Sequence, residues 1–302
     1  MRHLRILQFI DIVARAGSIR KAAEQLALTS SALNRRIQDF EEELGTPIFE
    51  RLPRGVRLNA AGELILRHAR TQLADVEKVR SQIADLGGQR RGHISVACSQ
   101  AVAYDFLATQ IAAYRAEFPS VTFSVEVGSH DAAQAALADF TVDIVLVFEP
   151  VIQADLQVLY VLEEPLYAVA ARGHPALDKP EPRLRECLRH PIALLRKSYG
   201  GRQLLETAIS RKGLPLKPVL ESNSFELLRR YVLHERVITF QTRIGAPFAE
   251  NDDLVSRPVD MRDVAPGRLV LGQLRGRSLP VASAKFANSL AQALDNLRKT
   301  TG

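Results

Sequence analysis

Five side chains with hydrogen-bonding tips fall within nine residues: Ser30, Ser31, Asn34, Arg35 and Gln38. Their spacing places them on the outward side of one helix. The inward side carries Leu33, Ile37, Phe40 and Leu44, at steps of four, three and four. An arginine there can present its fork to guanine, and the amides of Asn34 and Gln38 can pair with adenine. The serines can reach a base edge or a phosphate, and Arg36 a phosphate. Just downstream, Arg51, Arg54 and Arg57 recur every third residue around Pro53 and Gly55, which mark a hairpin turn. Guanidinium groups on such a hairpin meet phosphates or enter a minor groove. Arg51 has a competing use, an ion pair with Glu41 or Glu42, so Arg54 and Arg57 are the expected contacts. Any one of these polar residues is also explained by an ordinary solvated helix face. Their combination on a helix followed by a basic hairpin is what points to nucleic acid.

A second set of residues suits a small ligand. Ser99-Gln100 follows the β-rich run ISVAC, Gly128-Ser129 follows VTFSVEV, and Ser222-Asn223-Ser224 follows KPVLE. Each pair or triplet opens a helical stretch. Exposed N–H groups at a helix start, with nearby hydroxyls, suit a carboxylate or another anion. Taken singly, each serine reads as a plain helix cap. Their recurrence at equivalent points of an alternating fold is what suggests one shared cleft. Phe148 and Gln241 also end β-rich runs and are candidates to line it, together with Thr242. Glu149 leaves an alternative open, because a carboxylate there would select a cationic group.

Other chemistries lack their residues. His93, His130, His174 and His190 show neither HxxxH nor HExxH spacing, so no metal is expected. Cys98 sits in a β-rich run and reads as a small core residue; it lies far in sequence from Cys187. There is no Gly-x-Ser-x-Gly, P-loop, Gly-x-Gly-x-x-Gly or CxxC. Neither catalytic residues nor a bound cofactor are expected, only a small-molecule effector of unknown identity.

The elements that must position these residues can be read from periodicity. Leu4, Leu7, Ile10, Val13 and Ala14 mark a first helix ended by Gly17. Ser18 caps a short second helix with Ala22, Ala23 and Leu26 inward, and Thr29 or Ser30 caps the third, which Gly45 stops. Asn59 caps a long helix from Ala60 to about Leu86. Leu66, Ala69, Leu73, Val76, Val79 and Ile83 form a near-heptad stripe along it, broken by Arg80. Such a stripe needs a partner, within its own domain or on a second subunit. Gly87 to Gly92 read as a linker. Beyond it, short β-rich runs alternate with helical ones to the end of the chain, which predicts parallel sheets in an α/β domain.

At 302 residues the chain is long enough for roughly two domains. Its 46% hydrophobic and 25% charged composition is that of a soluble globular protein. Net charge is +6, and residues 1–58 hold ten Lys and Arg against seven Asp and Glu, half of that excess. This permits nucleic acid without requiring it. The apolar run at the N-terminus is short and interrupted by Asp11 and Arg15, unlike a signal peptide or a membrane span. With two separated cysteines, a reducing, cytoplasmic location is expected.

The N-terminal segment resembles the DNA-binding domain of LysR-type transcriptional regulators. The matching residues are Gly17-Ser18, Ala22-Ala23, Leu26, Ala32-Leu33, Arg35, Ile37, Glu41, Leu44-Gly45, Ile48-Phe49, Arg51, Arg54, Leu58 and Ala61-Gly62, without a gap. Phe118-Pro119 and Gly173-His174-Pro175 carry the likeness further along the chain. The resemblance implies a winged helix-turn-helix domain over residues 1–58 and a dimerising linker helix with its hinge over 59–91. It implies an effector-binding domain over 92–302, two-lobed, α/β and similar to periplasmic solute-binding proteins. Lobe I would take about 92–162 and 269–302, and lobe II about 163–268. It further implies double-stranded DNA with an interrupted palindrome as partner, self-association into dimers or tetramers, RNA polymerase as a further partner, and no membrane. Some members sense peroxide through paired cysteines in the second lobe; here only Cys187 falls there. The family usually has Gln at Ser30, Ser at Asn34 and Thr at Asn59, so the base-reading face departs from the common pattern. A solute-binding protein and an enzyme on the same lobes are the rival readings.

Overall fold

The computed structural model describes residues 2–86, 91–149, 154–246 and 253–299. Most of the expected linker, Gly87 to Arg90, lies outside the described residues. Two compact units emerge, Met1–Gly87 with Arg277–Pro280, and Gly88–Gly276 with Val281–Gly302.

In the first unit, α1 (Arg2–Ala16), α2 (Ile19–Gln25) and α3 (Ser30–Leu44) precede a hairpin of β1 (Phe49–Leu52) and β2 (Gly55–Leu58), then α4 (Ala60–Leu86). Phe9, Val13, Ala22, Ala23, Leu33 and Ile37 form the core of this unit, with Phe49 and Val56 of the hairpin packed on it. Caps set the helix ends. Ser18 Oγ accepts from Lys21 N–H, Thr29 Oγ1 from Ala32 N–H, and Asn59 Oδ1 from Gly62 N–H at 2.8 Å. Gly45 ends α3 in the left-handed region at φ 75°. Glycine is required sterically at Gly62, where a Cβ would overlap the Ile48 carbonyl oxygen. That close approach seats the chain entering β1 directly on α4.

Among the described residues, the second unit has two lobes, the first built on a five-stranded mixed sheet, the second on a three-stranded antiparallel sheet and a two-stranded parallel one. The first is built from β3 (Gly92–Ser99), β4 (Val121–Gly128), β5 (Ile144–Phe148), β6 (Leu156–Glu164) and β12 (Gly267–Leu274), in the order β4-β3-β5-β12-β6. Helices α5 (Gln100–Ala103), α6 (Phe106–Glu117), α7 (His130–Ala138) and α11 (Val281–Lys299) accompany it. The second contains β7 (Leu166–Ala171), β8 (Ile192–Leu195), β9 (Pro218–Ser222), β10 (Thr239–Thr242) and β11 (Leu254–Pro258). Here β7 lies between β10 and β11, and β8 pairs with β9. A bridge between Ile192 and Ile238 joins the two parts. Helices α8 (Leu184–Cys187), α9 (Gly200–Arg211) and α10 (Phe225–His234) belong to this lobe.

The expectation of parallel sheets is corrected. β3, β4 and β5 are parallel, as are β8 and β9, but β12 runs antiparallel to β5 and β6, and β7 antiparallel to β10 and β11. The reason is the path of the chain. β6 continues through Pro165 straight into β7, and the chain returns from β11 to β12. A strand arriving from the other lobe enters at the cleft end, so it runs opposite to the strands that finish there. The helical stretch that Ser99-Gln100 opens is likewise divided, between α5 and α6, at Tyr104 and Asp105.

In the second lobe, Arg183 donates twice to the Asp263 carboxylate at 2.7 Å, Leu184 N–H donates at 2.9 Å and Lys212 Nζ lies at 2.8 Å. These partners, with Arg183 first, hold Asp263 well below the usual carboxylate range. The fork of Arg262 brings Asp260 down to about 2.

Two expectations follow. Gly62→Ala should destabilise the N-terminal unit by about 1–3 kcal/mol, the usual cost of overpacking, seen as a lower denaturation midpoint. Because the folded-state pKa of Asp263 is depressed, its stabilisation is present above the unfolded value near ~4 and lost as pH falls through the folded value. Asp263→Asn should therefore lower stability at neutral pH and flatten its decline in acid. Denaturant curves at several pH values check this, and parallel curves for both proteins would refute it.

Candidate functional site

On α3 the polar side is open to solvent. Ser30, Ser31, Arg35 and Gln38 are exposed, and Asn34 is partly so. Ser31 Oγ lies 3.2 Å from the capping Thr29 Oγ1. Asn34 Nδ2 donates to Gln38 Oε1 at 3.2 Å, and Asn34 Oδ1 accepts from Arg51 Nη2 at 3.1 Å. The outward amides of α3 are thus tied to the first strand of the hairpin in one exposed polar surface. Arg51 pairs with neither Glu41 nor Glu42 in these bonds. Glu41 Oε1 accepts instead from the N–H groups of Ile48 and Phe49, at 2.7 and 3.1 Å, which fixes where the hairpin begins. Arg54 is exposed at the hairpin tip. Arg57 is exposed too, and reaches across the hairpin to Glu50 Oε2 at 2.7 Å, a surface ion pair that contributes little to stability. Arg36 lies over the Phe9 ring, 5.7 Å from its centroid, so it turns away from this surface.

The ligand candidates converge only in part. Ser99, Gln100, Phe148 and Gln241 line one cavity, with Ala101, Leu194, Leu195, Tyr199, Gly200, Gly201, Arg202, Phe240 and Thr242. Its volume is about 30 Å³, room for a water or two at roughly 10–15 Å³ each. Asn223 and Ser224 line a wider outer mouth of about 350 Å³, with Tyr104, Val127, Phe225 and again Gln100. Gly128, Ser129 and Ser222 line neither space. Their hydrogen bonds are local: Ser129 Oγ accepts from Ala132 N–H in the first turn of α7, and Ser222 Oγ from Ser224 N–H. Ser99 Oγ accepts from Phe148 N–H at 2.9 Å, clamping the ends of β3 and β5 together.

The inner cavity is rich in donors. Gln241 is 4% exposed and Thr242 2%, and among the described residues Gln241 Nε2 and Thr242 Oγ1 have no hydrogen-bond partner. Gly200 and Gly201 begin α9, where N–H groups lack intrahelical acceptors. Gly200 is sterically required, since a Cβ there would overlap the Phe148 carbonyl oxygen. Arg202 is buried but already engaged, donating to Leu195 O, Glu206 and Glu221 at 3.1, 2.9 and 2.8 Å. Glu149 does not line the cavity; its carboxylate accepts from Arg268 N–H at the start of β12. Glu149 therefore offers no carboxylate to a ligand in this cavity.

Tyr199, Gly200 and Gly201 were not among the residues expected from the sequence. The signal was available, a Gly-Gly pair shortly after the run PIALL. At the crossing between lobes, burial pushes Glu164 up to about 7, while Ile244 N–H donates to it and Arg243 lies near. Cys98 and Cys187 are both buried and free, and burial pushes each thiol up to about 12. Neither is a reactive thiolate at neutral pH. Ellman's reagent should modify neither in the native protein and both after denaturation; rapid labelling of the native chain would contradict this.

Residues 4–63 match the bacterial regulatory helix-turn-helix proteins of the lysR family, and residues 87–295 the LysR substrate binding domain. The chain is 26% identical over 220 residues to the HTH-type transcriptional activator CmpR of Synechocystis sp., covering 73% of this chain and 72% of CmpR. It is also 26% identical over 284 residues to the HTH-type transcriptional regulator CbbR of Rhodospirillum rubrum, covering 93% and 87%. Full-length OxyR from Pseudomonas aeruginosa, solved as a cysteine-to-aspartate variant, shares the fold with a TM-score of 0.73 at 19% identity, over 96% of this chain and 94% of that one. CbnR in complex with its target DNA aligns with a TM-score of 0.61 at 18% identity, over 96% and 99%.

Proposed function

The chain belongs to the LysR-type transcriptional regulators, DNA-binding proteins modulated by a small-molecule effector, and from that premise we propose which of its groups read DNA and what class of effector it takes. Ser30, Ser31, Asn34, Arg35 and Gln38 of α3 face the major groove, and Arg54 and Arg57 of the hairpin meet the flanking backbone. Support comes from the exposure of these side chains and from the bond between Arg51 and Asn34 that joins the two elements. The Arg57–Glu50 pair exchanges for a phosphate on binding, since an exposed pair costs little to break. CbnR, which shares this fold, is known in complex with its target DNA.

The effector is a compact anion, in the first instance an organic acid, held between lobe I (92–162 and 269–302) and lobe II (163–268). The single observation that carries this reading is the pair of buried, unpartnered groups on Gln241 and Thr242, beside the opening turn of α9. Buried polar groups are nearly always satisfied, so an orphaned pair in a cleft marks a place for an acceptor. With Glu149 turned away, Arg202 neutralised by Glu206 and Glu221, and Glu226 at the mouth paired with Arg230, neutral donors select the ligand. Binding shifts DNA affinity only as far as the ligand prefers one lobe arrangement over another.

Self-association through α4 is part of the same reading. Leu66 and Ala69 are buried, and α4 is tied to α1 by Arg70, which donates to Asp11 at 2.8 Å. Leu64, Val79 and Ile83 of the same helix stay 70%, 51% and 63% exposed. An apolar edge continued on one helix fits a second copy. Among the described residues no helix is long and apolar enough to cross a membrane. A cytoplasmic regulator without catalytic activity is the role that fits.

Gel shifts with DNA from upstream of the chain's own and neighbouring genes test the first part. Arg54→Ala with Arg57→Ala should weaken all sequences alike and reduce the slope of log affinity against log salt by about one to two, one lost phosphate contact each. An unchanged slope removes the hairpin arginines from the interface. A thermal-shift series with carboxylic acids and amines tests the second part. A shift with amines alone would overturn the anionic effector.

A further inference from the structure

The start of α10 is already occupied. Phe225 is 5% exposed, and its N–H, one of the orphan donors of the first turn, donates to Gln100 Oε1 at 2.7 Å. Gln100 belongs to the other lobe, at the C-terminal end of β3. The same amide donates through Nε2 to the Asn223 carbonyl and to Tyr199 Oη, the latter at 3.3 Å. A single carboxamide therefore offers its acceptor to one helix start and its donors to the turn before it and to the residue capping α9. Close by, Arg229 of α10 stacks on Tyr104 of the first lobe, 4.0 Å from the ring centroid. Gln100 also lines both the inner cavity and the outer mouth, so it stands as the partition between them.

We infer that Gln100 is an internal occupant of the cleft, a latch that fills the α10 anion position and that an effector must displace. This rests on the reading of the cleft as the effector site. The volumes require a displacement. The inner cavity of about 30 Å³ admits no organic acid while the partition stands, whereas moving Gln100 joins it to the mouth of about 350 Å³. The joined space presents donors at both ends, Gln241 Nε2 and the α9 start inside, and Phe225 N–H outside. A molecule with an acceptor group at each end satisfies both, so the preferred class is a short dicarboxylate rather than a monocarboxylate. A monocarboxylate reaches only one of the two ends. The latch also sets the threshold of response, because apparent affinity falls by the fraction of time the cleft is open.

Hydrogen exchange resolved to the Phe225 amide, on the full-length chain, tests the latch without any ligand. In Gln100→Ala that amide should exchange at least about tenfold faster, as for a bond closed nine-tenths of the time or more. Gln100→Glu keeps the acceptor, so its Phe225 amide should stay slow. The Ala193 amide, bonded to Ile238 O within lobe II, should be unchanged in both variants and report that the lobe is folded. Titration with succinate and with acetate, followed by thermal shift, tests displacement. Succinate should bind Gln100→Ala about tenfold more tightly than the native chain, the gain from removing such a competitor, and more tightly than acetate. Equal exchange at Phe225 in native and Gln100→Ala protein overturns the latch. So does succinate binding that weakens in Gln100→Ala, which would make Gln100 a ligand contact. Accelerated exchange with no response to either acid or to a wider acid series would instead overturn the effector reading and leave the latch standing.

Discussion

A buried N–H must find an acceptor, and in the second unit that requirement is met across lobes. The first turn of α10 cannot satisfy Phe225 N–H from within its own helix, and the acceptor comes from Gln100 at the end of β3. Because the acceptor is a side chain on the opposite lobe, satisfying the donor also ties the two lobes together. Inside the same cleft, Gln241 Nε2 and Thr242 Oγ1 are enclosed without partners among the described residues. The cleft is well satisfied at its mouth and poorly satisfied inside, the imbalance on which the proposed effector reading rests.

That arrangement is possible because the strands that end at the cleft come from both sheets. β3 and β5 finish there in one lobe, β8, β9 and β10 in the other, and the chain crosses between lobes beside the same edge. Ser99 binds the ends of β3 and β5 together, so the residue after it, Gln100, is aimed by a fixed frame. Gly200 allows α9 to approach the Phe148 carbonyl oxygen where any side chain would collide. Two crossings, at Pro165 and between β11 and β12, hold the lobes, and Glu164 with its raised pKa sits beside the first of them.

In the first unit almost everything was legible from residue order. Ser18, Thr29 and Asn59 cap where the sequence places caps, and Gly45 stops α3. The helix ends in this unit are set by short-range capping bonds, so periodicity and capping chemistry suffice to foresee its elements. What was not legible was the use of each polar tip. Arg51 goes to Asn34 rather than to Glu41, because Glu41 is spent on the backbone at Ile48 and Phe49. Arg36 turns to Phe9.

For the effector domain the sequence by itself determined the list of strands and helices that carry the cleft, and the hydrogen-bonding character of Ser99, Gln100, Ser224 and Gln241. It did so because alternation, caps and strand ends are short-range properties of the chain. It did not reveal the strands Leu156–Glu164 and Leu254–Pro258, the antiparallel run of β12, or the withdrawal of Ser129 and Ser222 into local bonds. Only the tertiary structure decided those, since they depend on which segment of the other lobe reaches each end. The same holds for Gln100. Its place after a strand was visible, but the donor it accepts from is 125 residues away in the chain, and only folding brings Phe225 N–H to it.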